Sequence, residues 1–135
     1  MPDAIAAACG ALGQRVPSTP AAVTRVILDS LALAWRRTVA TIEDIAGWRA
    51  EVVHLVGGGA ANGLLGALCA SALERPVLAG PVEATVVGNA LVQAMAAGVV
   101  ADLDTGRALV AAALPPRRID PRPTHDWEQL AAVLR

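Results

Sequence analysis

The sequence predicts an α/β fold, and three observations carry that expectation. Residues 51–56, Glu-Val-Val-His-Leu-Val, are dense in β-branched side chains and close on Gly57-Gly58-Gly59, the composition of a strand entering a tight turn. An apolar, Ala- and Leu-rich stretch of helical length follows, and then a second short strand, Val77–Ala79, ended by Gly80-Pro81. Upstream lies a long amphipathic stretch able to cover a sheet. Strand, glycine turn, helix, strand, helix is the order of a parallel α/β unit.

Taken in order, residues 2–12 read as a short amphipathic helix stopped at Gly13. Ser18-Thr19-Pro20 then offers a capping hydroxyl with proline at the first helical position. From 20 to 46, Val23, Val26, Ile27, Leu31, Ala34, Ile42 and Ile45 recur at three- and four-residue steps. That spacing predicts one helix of about 40 Å at 1.5 Å per residue, stopped by Gly47 in the C′ position. Arg25 and Asp29, four apart, form a solvated surface pair. Residues 60–73 return to helix until Glu74-Arg75-Pro76 breaks it. A further helix spans 83–97 and is capped by Gly98, and another spans 104–114 with Asp104 as its N-cap. Residues 115–123 are proline-rich and extended, and 126–134 form a short last helix. There is no internal repeat. Two parallel strands make no stable sheet by themselves, since both edges stay open. Either the fold holds strands without a sequence signature, or the chain is part of a larger sheet.

Composition removes whole classes of function. The 135 residues are one domain's worth. With 55% hydrophobic residues and a mean hydropathy of +0.51, disorder is excluded. A net charge of -1 and a pI near 6.1 leave no footprint for nucleic acid or anionic lipid. All 11 basic residues are arginine, which rules out a Walker lysine, a Schiff-base lysine and a lysine general base. Phe and Tyr are absent, so stacking platforms for single-stranded nucleic acid are missing. Cys9 and Cys69 cannot make a disulfide framework or a four-ligand zinc site. The start has no secretory pattern, which predicts a reduced, cytoplasmic setting. Residues 55–73 and 84–101 are free of charge and of membrane-spanning length. They are built from Ala and Gly and carry Asn62, Asn89 and Gln93, so buried elements of a soluble core are the better reading, with no membrane partner.

The glycine turn is the feature that bears on chemistry. Glycines between a strand and a helix let backbone come close to a ligand, with helix N–H groups aimed at it. The dinucleotide pattern G-x-G-x-x-G fails, because starting from Gly57 its last glycine position is Asn62. The acidic residue expected after the next strand is missing as well, since Val77–Ala79 runs into Gly80. A Walker loop fails for want of Gly-Lys-Ser/Thr. By spacing alone, the turn stays open between a nucleotide seat and a tight strand-to-helix connection.

Residues 52–93 read VVHLVGGGAANGLLGALCASALERPVLAGPVEATVVGNALVQ. Gly57-Gly58-Gly59, Asn62 and Leu64-Leu65, followed in register by Pro76-Val77, Gly80-Pro81, Glu83-Ala84 and Gly88-Asn89, closely resemble the C-terminal part of FGGY-family carbohydrate kinases, and among them are most similar to the rhamnulokinases. MPDAI, GQRVPSTP and ILDSLALAWRRTV resemble the family's N-terminal segments of the same region, so that the likeness covers about residues 1–114.

The resemblance implies part of an actin/hexokinase-like (ribonuclease H-like) ATPase domain, α/β, with helices packed on a partial sheet. It makes residues 1–114 a C-terminal nucleotide-binding segment and 115–135 a proline-rich tail with a short terminal helix. The family's GGG-x-x-N segment is its adenosine motif. Carried over, Gly58 and Gly59 let backbone meet adenine and ribose, Asn62, one turn into the helix, bonds the nucleotide or fixes the loop, and Gly63 lines the same pocket. Glu83 and Gly88 are structural: a first-turn glutamate suits a helix N-terminus, and the glycine permits close packing. Family members often place Gln and Asp where this chain has Ala67 and Ser71, and Gly where it has Glu74, which weakens the polar supports behind the loop.

The implied cofactors are ATP and Mg, with the metal ligands, the phosphate-binding Asp-x-Gly segment, the sugar-contacting domain and the catalytic Asp all upstream in the family. Asp29 is mid-helix, and Asp102 and Asp104 precede a late helix, so no catalytic residue is expected here. Phosphoryl transfer needs nucleophile, metal and phosphate clamps together, and this chain alone should not phosphorylate a sugar. The alternative is a non-catalytic remnant or binding module that self-associates through an open sheet edge. His54 and His125 have no partner pattern and read as packing or surface residues. Ser18, Ser30 and Ser71 lack a nucleophile elbow. Cys69 is a small core residue, and Cys9 is structural too. Arg117, Arg118 and Arg122 read as a solvated linker, and Trp35, Trp48 and Trp127 form no array.

Overall fold

The computed structural model describes residues 1–132, and the end of the expected last helix, 133–134, lies outside them. Two helices lead: α1 (Pro2–Ala11) and α2 (Pro20–Ala46). Strand β1 (Val53–Leu55) passes through a 3-10 turn, Gly58–Ala61, into α3 (Gly63–Leu73). Then come β2 (Val77–Ala79), α4 (Ala84–Ala96), α5 (Leu103–Ala113), β3 (Arg117–Ile119) and α6 (Trp127–Ala132).

Helix α2 begins as its sequence directs. Thr19 accepts a hydrogen bond from the Ala22 N–H at 3.1 Å, Pro20 opens the first turn, and Gly47 ends the helix in the left-handed conformation at φ 71°. Its inner stripe, Leu28, Ala32 and Leu33, is buried, with Trp35 and Val39 packed beside it. That stripe lies on α3, where every residue from Leu65 to Leu73 except Ala67 is buried. A helix apolar all round is one covered all round: α2 takes one side and the sheet another. The carbonyl end of α3 is met by two arginines. Arg36 donates to the Ala72 carbonyl and to Glu74, while Arg75 donates to the Leu73 carbonyl at 3.0 Å, the Ala50 carbonyl at 2.8 Å and the Glu43 carboxylate. Cations there suit the negative end of the helix dipole.

The sheet runs β1-β2-β3. β1 and β2 are parallel, with Val53 opposite Val77 and Leu55 opposite Ala79. β3 is antiparallel to β2, with Ile119 opposite Val77 and Arg117 opposite Ala79. The third strand lies inside the segment expected only to be extended and proline-rich. Its prolines flank the three paired residues, and an edge strand tolerates the charges that hide it from a hydrophobic pattern. A second correction concerns α5: its N-cap is Asp102, whose carboxylate accepts from the Thr105 N–H at 2.7 Å, and Asp104 sits inside the first turn. Strand β1 is also shorter than the apolar run that predicted it.

Beyond β3, the chain returns to α3. Trp127 is buried, its indole N–H donates to Ser71 Oγ at 2.8 Å, and Ser71 Oγ lies 2.7 Å from Thr124 Oγ1. Ser71 thus supports the tail. Arg25 and Asp29 pair as expected at 2.9 Å, and His125 joins them from the tail. Among the described residues no helix is long and apolar enough to cross a membrane.

Candidate functional site

The sheet places the candidate site. β1 and β2 point the same way, and their carboxyl ends carry the two glycine turns, the sheet end at which open α/β folds bind ligands. Gly57 sits at φ 79° and ψ −166°, a conformation closed to side chains with a Cβ. Its N–H donates to the Pro81 carbonyl at 3.0 Å, and the Gly80 N–H donates to the Leu55 carbonyl at 2.8 Å. These two bonds tie the turns after β1 and β2 together.

From Gly57 the backbone tightens into the 3-10 turn. The Gly57 carbonyl accepts from Ala60 N–H at 2.9 Å and the Gly59 carbonyl from Asn62 N–H at 3.1 Å. A Cβ on Gly58 would meet no atom within 4 Å, so the backbone there opens to solvent. Gly59 faces inward instead, 3.6 Å from Leu55 and 3.8 Å from Leu65 measured to its would-be Cβ. Asn62 precedes α3 as its N-cap, where the sequence placed it one turn into the helix. Its Oδ1 accepts from the Leu65 N–H at 3.0 Å. That bond holds the loop and leaves the side-chain amide N–H groups of this exposed residue without a protein partner among the described residues. Gly63 starts α3 and is exposed.

The four residues Gly58, Gly59, Asn62 and Gly63 are therefore one contiguous turn, three of them exposed and Gly59 turned toward packing. The arrangement suits a flat ligand laid against bare backbone. The donor set suits no metal: among the described residues no group of three His, Cys, Asp or Glu could hold an ion. Ser71, thought a lost polar support, bonds the tail from inside the core. Arg117 was placed in a solvated linker, yet β3 carries it to this sheet end, with its Nη2 4.0 Å from where a Cβ on Gly63 would stand. The Arg-Arg-Ile run has no feature that would have assigned it there.

Shifted ionisations lie elsewhere and serve the fold. The Arg75 hydrogen bond, aided by the Ala50 N–H, holds the Glu43 carboxyl below its usual range. Burial pushes the Cys69 thiol up to about 12, the mark of an inert core cysteine.

Comparison with known proteins agrees with this architecture. Residues 1–97 match the family model described as the FGGY family of carbohydrate kinases, C-terminal domain. The chain is 42% identical to the rhamnulokinase of Pectobacterium carotovorum subsp. carotovorum over 98% of this chain and 28% of that protein. It is 35% identical to the rhamnulokinase of Bacteroides thetaiotaomicron over 95% of this chain and 26% of that protein. The rhamnulokinase of Klebsiella pneumoniae is 42% identical over 78% of this chain and 22% of its own length. The chain thus spans little more than a quarter of the length of the first relatives it matches.

Proposed function

The chain belongs to the FGGY family of carbohydrate kinases, as sequence of their C-terminal domain, and from that premise we propose that it is the ATP-binding C-terminal segment of a rhamnulokinase-like sugar kinase. The fold expected from the resemblance holds: this domain has the actin/hexokinase-like architecture, and the observed helices and mixed sheet are α/β. Nucleotide binding is the function the geometry supports best. The observation that carries it is the bare turn Gly57-Gly58-Gly59 at the carboxyl end of β1, followed by Asn62 at the head of α3.

In this reading the open Gly58 backbone faces adenine and ribose, and Gly59 meets them only with the side of its backbone turned away from Leu55 and Leu65. Asn62 does two jobs, holding the loop through Oδ1 and offering its amide N–H to the nucleotide. Gly63 keeps the wall low beside it. Mg, bound with ATP, would neutralise charge on the phosphates. The transfer itself joins a sugar hydroxyl oxygen to the γ-phosphorus as the bond to ADP breaks, and the hydroxyl proton passes to a base. We assign that base, the metal ligands and the sugar contacts to residues outside this chain, where the family resemblance places them; within it Asp29 lies mid-helix in α2 and Asp102 caps α5. Dependence on ATP supports a cytoplasmic setting.

The test is a two-dimensional amide NMR titration of this chain with ATP. Saturable shifts should cluster at residues 57–63. Gly58→Val adds a side chain into open space, so it should keep a native spectrum while weakening binding at least tenfold. Asn62→Ala should also weaken binding, together with a stability loss of about 1 kcal/mol for the cap. A well-dispersed spectrum without shifts would refute the binding claim and favour the self-associating module, through the outer edge of β1.

A further inference from the structure

We propose that Arg117 is an additional nucleotide-contacting residue, one that lays its guanidinium plane on the adenine at the Gly58–Gly63 turn. The inference rests on the nucleotide reading above. It begins from a packing detail of β3 on α3. Alternate residues of a strand share a face, so Arg117 and Ile119 both turn toward the helix. Facing them are Gly63 and Gly66, three apart on α3 and so on one side of it. Ile119 Cδ1 comes within 2.6 Å of where a Cβ on Gly66 would be, and Arg117 Nη2 within 4.0 Å of the same point on Gly63. The two glycines form a shallow channel in which these two side chains lie. Ile119 is the partly buried end of that pair, and Arg117 is the exposed end, at the head of the helix.

The antiparallel run of β3 matters here. Arg117 is opposite Ala79, so it enters the sheet where β1 and β2 leave it, at the end that carries the glycine turns. Arg118, the next residue along β3, is instead paired with Asp120 at 2.9 Å. Among the described residues Arg117 has no carboxylate partner. No acidic residue sits in the first turn of α3 to attract it either. A guanidinium at the positive end of a helix is not held there by the helix, which leaves it free for a ligand. Its planar, weakly hydrated group suits the face of a base. The chain has neither Phe nor Tyr for that role; Trp127 is buried against α3, Trp35 packs on the core, and the exposed Trp48 stands between α2 and the start of β1, whereas the glycine turn follows its end.

Adenosine and ATP are titrated into the wild-type chain, Arg117→Gln, Arg117→Lys and Arg118→Gln, with amide spectra verifying the fold. A base contact predicts that Arg117→Gln weakens adenosine and ATP by the same factor, about three- to tenfold, that Arg117→Lys recovers little, and that Arg118→Gln binds as wild type. Equal affinities for wild type and Arg117→Gln would overturn the inference and leave the nucleotide reading standing. A loss that appears with ATP alone and is rescued by lysine would overturn the adenine contact in favour of a phosphate one. A wild-type chain that binds neither ligand would overturn the nucleotide reading first, and Arg117 with it.

Discussion

At the scale of single residues, polar side chains decide which segments meet. Ser71 is buried in α3, and its hydroxyl is satisfied by the Trp127 indole and the Thr124 hydroxyl rather than left to cost free energy. Arg75 is the comparable case just past the carboxyl end of the helix. It is about nine-tenths buried, and its charge is matched by Glu43 and by two backbone carbonyls. Because Glu43 titrates below its usual 4.5 in the fold, the unfolded chain binds its proton first as pH falls. The stabilisation is therefore complete above about pH 4.5, the ordinary glutamate range, and is lost as pH drops through the lowered value. Urea midpoints measured from pH 7 to pH 3 should fall more steeply for wild type than for Glu43→Gln. The variant should be the less stable at pH 7, where Arg75 has lost its counter-charge. Parallel curves would show that the pair does not carry this acid sensitivity.

At the scale of elements, the contact of β3 with α3 holds the tail to the sheet. Three paired residues are a short strand, and Ile119 in the channel above Gly66 supplies the apolar part of its attachment. Gly66→Ala puts a methyl 2.6 Å from Ile119 Cδ1, and overpacking of this kind costs about 1–3 kcal/mol. Ile119→Val removes the offending carbon, so the double variant should recover much of that loss in denaturant unfolding. Additive losses would mean that the two residues do not meet. Gly106 plays the same part between α5 and α4, where a Cβ would press on the Leu91 side chain.

Over the whole molecule, burial is uneven. The core gathers on α2, α3, β2 and Trp127. Helix α4 has no buried residue and α5 has only Gly106, while Val86, Val92, Leu103 and Leu109 stay exposed. Amides that rely on few apolar contacts open first. Hydrogen exchange should therefore be slowest in α3 and the 28–39 stretch of α2, and fastest among the helices in α4. Equal protection of α3 and α4 would show that a single cooperative unit spans both. The same unevenness describes the sheet, whose outer β1 edge has no strand beside it among the described residues.

The sequence by itself determined the order of helices, the two parallel strands, the family and the contiguous turn of Gly58, Gly59, Asn62 and Gly63. Each is written in local chemistry: apolar period, capping hydroxyls and glycines, and motifs read in register. Tertiary structure alone decided the rest. It made a strand of Arg-Arg-Ile, turned Ser71 into an anchor for Trp127, moved the α5 cap to Asp102, and brought Arg117 beside Gly63. The physical reason is the distance along the chain. Ser71 and Trp127 are 56 residues apart, and a hydrogen bond across that interval exists only once the chain has packed. An edge strand, likewise, is defined by its neighbour, and no pattern within Arg117–Ile119 names β2 as that neighbour.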